Sequence, residues 1–140
     1  LDASLDWALT LDGENQSAAM GAIFDRWADD DALAASEFLV TMKDGTAKDS
    51  AVRSLANELS REDPQSALTW ASSIGESKLR NDTIEPLARR WLRSDESAAT
   101  AWLTEANLPD ETLENILVPD EGNERRGWDR GGFGGGRGGR

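Results

Sequence analysis

The sequence predicts an all-α protein, a right-handed α-solenoid built from about three and a half antiparallel helix pairs. Bulky apolar residues recur at a near-constant interval of about 32 positions, which we call one repeat length and which is typical of a helical repeat array. The apolar residues around each of them follow the i, i+3, i+4, i+7 spacing of one helix face, and strand signals are nearly absent. We therefore expect a helical repeat domain over residues 1–119 and a disordered tail, rich in glycine and arginine, over residues 120–140.

Two series of bulky residues define the predicted repeat. The first runs through Trp7, Phe38, Trp70 and Trp102, and the second runs through Trp27, Leu59 and Trp91. Each unit therefore holds two amphipathic helices, with one series on the first helix and the other on the second. Tryptophan alternates with phenylalanine and leucine at equivalent places, which favours packing over an exposed platform for stacking ligands. These seven residues are the predicted structural core.

Helix-capping residues stand between the predicted helices. Asp63 followed by Pro64 has the pattern of an N-cap and a first helical residue. Asp95 and the run of aspartates at 29–31 occupy the same place in the neighbouring units. Glycines stand where the first helix of each unit is expected to end in a left-handed cap, at Gly13, Gly45 and Gly75.

Two departures from the repeat concern its later units. Pro86 falls inside the second helix of the third unit, where proline removes a backbone hydrogen bond. Either Asp82 caps a shortened helix, with Glu85 completing a capping box, or a longer helix is kinked at the proline. In the fourth unit the stretch "DETLENIL" begins a second helix, but Pro119 stands where an apolar residue is due. That helix is therefore predicted to be short and to cap the array.

The chain contains no histidine and no cysteine, so imidazole and thiolate chemistry are both excluded. Its formal net charge of −12 is unevenly distributed. Residues 1–122 carry 25 acidic and 10 basic side chains, whereas residues 123–140 carry 2 acidic side chains and 5 arginines. An acidic body attracts basic partners and repels phosphate backbones, so we expect a basic protein partner. No apolar run approaches the roughly 20 residues that span a bilayer, so no membrane span is expected in this segment.

Carboxylates are the remaining candidates for catalysis or metal binding. A catalytic pair needs one carboxyl group whose pKa is raised in a cleft, whereas the acidic residues here fall at caps and on polar helix faces. A calcium loop needs oxygen ligands at fixed spacing, which neither "DRWADDDAL" nor "DGENQS" supplies. Weak surface binding of a divalent ion stays open. We expect no catalytic residue, no metal site and no cofactor.

The tail "RRGWDRGGFGGGRGGR" combines glycine, arginine and two aromatic residues. It resembles the RGG-type tails of RNA-binding proteins, in which arginine pairs with phosphate and stacks on bases while aromatic rings interleave. The resemblance implies weak binding of RNA or single-stranded DNA through Arg125, Arg126, Trp128, Arg130, Phe133, Arg137 and Arg140. Two alternatives stay open. The tail is either a solubilising terminus or a segment that folds back electrostatically onto the acidic body.

Three stretches carry a further resemblance: "WLRSDESAATAW", "LSREDPQSALTW" and, more weakly, "WADDDALAASEF". They are similar to tandem helical repeats of uncharacterised bacterial proteins with the signature W-x₃-D-P-x-A-A-x₂-W, and the similarity covers residues 1 to about 117. It implies a solenoid related in form to tetratricopeptide and HEAT arrays, used as a binding surface without catalytic residues. The period of about 32 departs from the 34 of tetratricopeptide repeats, so clamping of a peptide carboxylate is not implied.

The chain opens at Leu1 in what reads as the middle of a helix, so we interpret it as a fragment of a longer protein. The resemblance favours the bacterial cell envelope or secretion over the cytoplasm. The predicted function is a non-enzymatic scaffold that binds a protein partner. The alternative is weak RNA or single-stranded DNA binding through the tail.

Overall fold

A computed structural model describes residues 2–118 of the chain, and over that range the chain forms helices and no strand. The helices are α1 (Asp2–Leu9), α2 (Gly13–Thr41), α3 (Thr46–Leu59), α4 (Pro64–Ser72), α5 (Ser77–Ser94), α6 (Glu96–Glu105) and α7 (Asp110–Leu117). The all-α prediction is confirmed, and the short final helix is the predicted stretch "DETLENIL". The predicted tail, residues 120–140, lies outside the described residues.

The long helix α2 is interrupted at Asp31, whose backbone is not helical (φ −156°, ψ 84°). Asp63 and Asp95, one and two repeat lengths further on, adopt nearly the same backbone angles, −134° and 79° for one and −151° and 83° for the other. Each carboxylate accepts a hydrogen bond from the backbone N–H three residues further on, at 3.0, 3.0 and 3.1 Å. Asp31 therefore caps a new helix, and α2 consists of two arms, residues 13–30 and 32–41.

The start of α5 differs from one of the two predicted alternatives. Glu76 caps this helix, because its carboxylate accepts the N–H groups of Lys78 and Leu79 at 3.1 and 2.6 Å. The helix then continues through Pro86 to Ser94, so the late start at Asp82 is wrong. The proline is exposed, and so is Asp82, the residue whose carbonyl loses its intrahelical partner.

The glycines also lie in a different place from the predicted one. The caps that end α2 and α4 are Met42 and Ser73, and the glycines come two or three residues later, before the next helix. Gly45 is the N-cap of α3 with φ +153°, a backbone angle that side chains disfavour. Two residues are left-handed near the predicted places: Gly13 (φ +51°), where α2 begins, and Asn107 (φ +49°), just after the end of α6.

The core lies between the helices. In the first helices of the units, alanines and leucines on the inner stripe are buried: Ala35, Leu39, Ala67, Ala71, Ala99 and Leu103. In the second helices the buried residues are Met20, Phe24, Val52, Leu55, Ala56, Ile84, Leu87, Ala88 and Trp91. These residues fall into two clusters, and Leu59 and Trp70 pack against both. The helical stripes expected from the sequence therefore pack together along the chain.

The predicted core aromatics differ in how deeply they are buried. Trp91 is 8% exposed, and partly buried side chains pack around the core at Trp27, Phe38, Leu59, Trp70 and Trp102. Trp7 departs from the prediction, because 59% of it is exposed. In the next unit Phe38 packs on Trp27, 5.5 Å away between ring centroids. Within the described residues no helix precedes α1, so Trp7 has no such ring beside it, and Leu5 and Ala8 are the buried residues of α1.

Candidate protein-interaction surface

The segments around the capped joints at Asp31, Asp63 and Asp95 are connected by a groove and a hydrogen bond. The joint within α2 and the turn after α3 line a common groove, and the guanidinium of Arg90 on α5 donates to the hydroxyl of Ser60 at 3.2 Å. We call residues 28–32, 58–62 and 89–95 the joint edge. Because each joint is fixed by an aspartate cap, the side chains on this edge are held on ordered backbone.

A groove of about 300 Å³ lies between the first two joints, and we call it the acidic groove. It is lined by Ala28, Asp29, Ala32, Glu58, Leu59, Arg61 and Glu62. Glu58 pairs with Arg61 at 3.4 Å, whereas Asp29 and Glu62 make no ion pair within residues 2–118. The buried Ala28 and the half-buried Leu59 give it an apolar part. The groove therefore combines apolar contact with excess negative charge.

The next stretch of the joint edge has the opposite charge. One repeat length after Asp29, Glu58 and Arg61, the chain carries an arginine at every place. These arginines are Arg61, Arg90 and Arg93. Because Arg61 lines the acidic groove and pairs with Glu58, we call Arg90 and Arg93 alone the basic stretch. The Arg90 side chain spans this stretch toward Ser60, as described above. The joint edge therefore changes from mainly acidic at the groove to mainly basic at residues 89–95.

A second groove, of about 360 Å³, lies between the first arm of α2 and α3. Its lining is small and polar: Ser17, Ala18, Gly21, Ala22, Asp25, Ser50, Arg53, Ser54 and Asn57. The Ser54 hydroxyl donates to the carbonyl of Gly21 at 2.9 Å, which ties the two helices together at the groove floor. Because so many lining groups belong to the contact between α2 and α3, we assign this groove to packing rather than to binding.

A polar contact that the sequence did not predict recurs near the starts of α2, α3, α5 and α7. Ser17 donates to the Thr46 hydroxyl at 3.0 Å, and Thr112 donates to the side-chain oxygen of Asn81 at 3.3 Å. Between them in sequence, Asp49 accepts the backbone N–H groups of Gly75 and Glu76 at 3.0 and 3.2 Å. The three polar residues on the helices, at positions 17, 49 and 81, are one repeat length apart. That spacing was the only signal in the sequence that could have revealed this contact.

Large apolar side chains are exposed outside the grooves. Leu33 and Val40 lie on the second arm of α2 and are 70% and 71% exposed, and Leu9 on α1 is also exposed. Val40 follows Phe38 by two residues just as Leu9 follows Trp7, so the two occupy equivalent places. The third and fourth units carry Ser72 and Thr104 there. An apolar side chain at this place is therefore limited to Leu9 and Val40. At the end of α7, Leu117 and Val118 are also exposed, at 60% and 56%.

The other predicted functional residues are placed as follows. The tail residues predicted to bind nucleic acid, Arg125, Arg126, Trp128, Arg130, Phe133, Arg137 and Arg140, all lie outside the described residues. Within residues 2–118, no group of three or more acidic side chains is arranged to hold a metal ion. Over the same range, no helix is both long enough and apolar enough to cross a membrane.

Comparison of the chain with known protein families, with curated proteins and with solved structures finds no match. A functional proposal therefore rests on the chemistry of the joint edge.

Proposed function

We propose that this chain is a non-enzymatic helical-repeat scaffold that binds a basic protein partner at its joint edge. The proposal treats the helices as about three and a half antiparallel pairs stacked in a right-handed solenoid, of the type with the W-x₃-D-P-x-A-A-x₂-W signature. The observation that supports it best is the common geometry of Asp31, Asp63 and Asp95. These residues stand one repeat length apart, and each caps the helix that follows it. A repeated joint presents similar backbone with different side chains, which is how repeat arrays form binding surfaces.

The acidic groove supports a basic partner. A lysine or arginine side chain placed there would meet Asp29, Glu58 and Glu62 and could lay its methylene groups along Leu59. Arginine fits best, because its planar guanidinium pairs bidentately with a carboxylate. The acidic body would also accelerate the approach of a basic partner at low salt.

A labelled peptide of alternating arginine and glycine is a direct probe of this proposal. We expect the full chain to bind it with an affinity that falls as salt rises, and to bind a glutamate-glycine peptide of equal length much more weakly. Fluorescence anisotropy measures both. Equal binding of the two peptides would contradict a basic-partner site.

Two variants with the same change in net charge test whether the acidic groove is the binding site. The groove variant Asp29→Asn/Glu58→Gln/Glu62→Gln is expected to weaken binding roughly tenfold, since each exposed ion pair contributes up to about 1 kcal/mol. The control variant Asp6→Asn/Glu37→Gln/Glu105→Gln removes three exposed carboxylates from the first helices and changes the net charge equally. If both variants weaken binding to the same extent, the partner recognises the overall charge and the groove is not the site.

A further inference from the structure

We propose that residues 123–140 of this chain dock in the chain's own acidic groove. The inference goes beyond the proposed function, because the occupant is a segment of the same molecule and no second protein is needed. It rests on where the described chain leaves the fold, on the reach of the residues that follow, and on the charges along the joint edge.

The end of α7 is connected to the acidic groove through α5 and α3. The Asn115 amide donates to Glu85 at 3.0 Å, and the Asn115 carbonyl accepts from Arg89 at 2.9 Å, so the end of α7 packs beside the middle of α5. The next residue of α5, Arg90, reaches the Ser60 hydroxyl at the end of α3. Ser60 stands between two residues that line the groove. A series of direct contacts therefore connects the end of α7 with the groove.

The chain after α7 is long enough to cross this distance. Helix α7 packs on α5, α5 on α3 and α3 on α2, and packed helices lie about 8–10 Å apart, so the groove between α2 and α3 is roughly 25 Å from α7. Twelve residues separate Val118 from Arg130, and an extended chain of that length spans roughly 40 Å. Arg130 and every arginine after it can therefore reach the groove.

Exposed carboxylates on α7 lie nearer to this segment, but the acidic groove gathers three carboxylates around one cavity, those of Asp29, Glu58 and Glu62. Arg90 and Arg93 of the basic stretch lie on the way, and they repel a segment that carries five arginines. Asp29 and Glu62 in the groove make no ion pair within residues 2–118, so their carboxylates can accept guanidinium groups. The glycines between the arginines add no side-chain bulk, which suits a groove of about 300 Å³.

Attachment to the same chain makes weak contacts sufficient. A short flexible connection holds a tethered segment at an effective concentration in the millimolar range. A segment with a dissociation constant near or below that value would fill the groove for much of the time. It would then compete with any external basic peptide for Asp29, Glu58 and Glu62.

Paramagnetic labelling of the full chain tests the docking. The chain has no cysteine, so Gln65→Cys places a single spin label just after the Asp63 joint. Ser77→Cys is the control, because it stands at the opposite end of α5, about 25 Å from the joint edge. Both side chains are exposed, so neither substitution is expected to disturb packing.

At low salt we expect the Gln65→Cys label to broaden the amide signals of residues 127–140 and the Ser77→Cys label to leave them sharp. The groove variant Asp29→Asn/Glu58→Gln/Glu62→Gln should remove the broadening, and the control variant Asp6→Asn/Glu37→Gln/Glu105→Gln should keep it. Far-UV circular dichroism verifies that each variant stays helical. Absence of broadening, equal broadening by both labels, or persistence in the groove variant would each overturn the proposal.

A second measurement separates this inference from the proposed function. Replacing Arg125, Arg126, Arg130, Arg137 and Arg140 with glutamine in the full chain should raise its affinity for the arginine-glycine peptide about 3- to 10-fold, because the competing segment is neutralised. If the peptide binds with unchanged affinity, the docking is wrong and the proposed function stands. If broadening occurs but the neutralised chain binds no peptide, the docking stands and the proposed function fails.

Discussion

The carboxylate of Asp49 on α3 accepts the backbone N–H of Gly75 at 3.0 Å, and so joins α3 to the loop before α5. A second bond to the N–H of Glu76 completes the contact, and only 8% of Asp49 is exposed. One side chain thus satisfies two of the free N–H groups at the start of α5.

Replacing Asp49 should therefore destabilise the fold by more than the loss of one hydrogen bond, because its carboxylate accepts two. Asp49→Ala removes the acceptor of both N–H groups at a partly buried contact, and we expect a loss of about 1–3 kcal/mol in the free energy of unfolding. Urea denaturation monitored by circular dichroism measures this loss. Asp6→Ala, at an exposed position on α1, is the control and should change stability by less than about 0.5 kcal/mol. Similar effects of the two substitutions would show that the Asp49 contact does not stabilise the fold.

The cap at Asp63 should make stability depend on pH. Hydrogen bonds from the Ser66 hydroxyl and the Ser66 N–H lower the pKa of Asp63 below its ordinary value of 3.8. A lowered pKa means that the charged carboxylate stabilises the folded state above pH 3.8, and that this contribution is lost as the pH falls through the folded-state pKa. We expect Asp63→Ala to cost about 1 kcal/mol at pH 7 and the difference from the parent chain to shrink below about pH 4. Urea titrations across this range measure it, and Asp63→Asn serves as a capping control without the charge.

The two tryptophans Trp7 and Trp91 should respond differently to truncation. Trp91→Ala removes a ring that is 8% exposed, and we expect it to cost about 3–5 kcal/mol in the free energy of unfolding. Trp7→Ala removes a ring that is 59% exposed, and should cost less than about 1 kcal/mol. The urea midpoints of the two variants measure these losses in the free energy of unfolding. A large loss for Trp7→Ala would mean that this ring is covered in solution.

Nucleic-acid binding through the tail remains a prediction from the sequence. Neutralising all five tail arginines with glutamine should abolish retention of the full chain on single-stranded RNA. Five phosphate contacts imply a slope of up to about −3.5 in the logarithm of the binding constant against the logarithm of salt concentration. Filter binding at several salt concentrations measures the slope. Retention that is unchanged in the glutamine variant would exclude the tail as the binding segment.

Much of the fold could be predicted because the residues at the joints specify local structure by themselves. Aspartate followed by a helix-forming run is an N-cap signal, and the signal was correct at Asp63 and Asp95 and within the run that contains Asp31. The start of α5 was missed because Glu76 is not among the favoured capping residues. The late position of the glycines was missed because loop length between two helices is set by their packing.

The candidate surface was harder to predict because it depends on which helices become neighbours. Asp49 looks like any polar residue on a helix, and only its place beside the start of α5 makes it a buried acceptor. The opposite charges of the acidic groove and the basic stretch were also hard to predict, because they depend on which joints are adjacent in the fold. Trp7 shares the sequence pattern of the buried rings, but burial requires a neighbouring helix that residues 2–118 do not supply.

The reversal of charge along the joint edge makes the two ends of this edge electrostatically different. An elongated partner that is cationic at one end and anionic at the other would find attraction at both ends in one orientation. In the reversed orientation the same partner would be repelled at both ends, so the joint edge selects one orientation by charge, without a shape-specific pocket. A surface with this polarity would bind a filament or an extended polypeptide in one orientation.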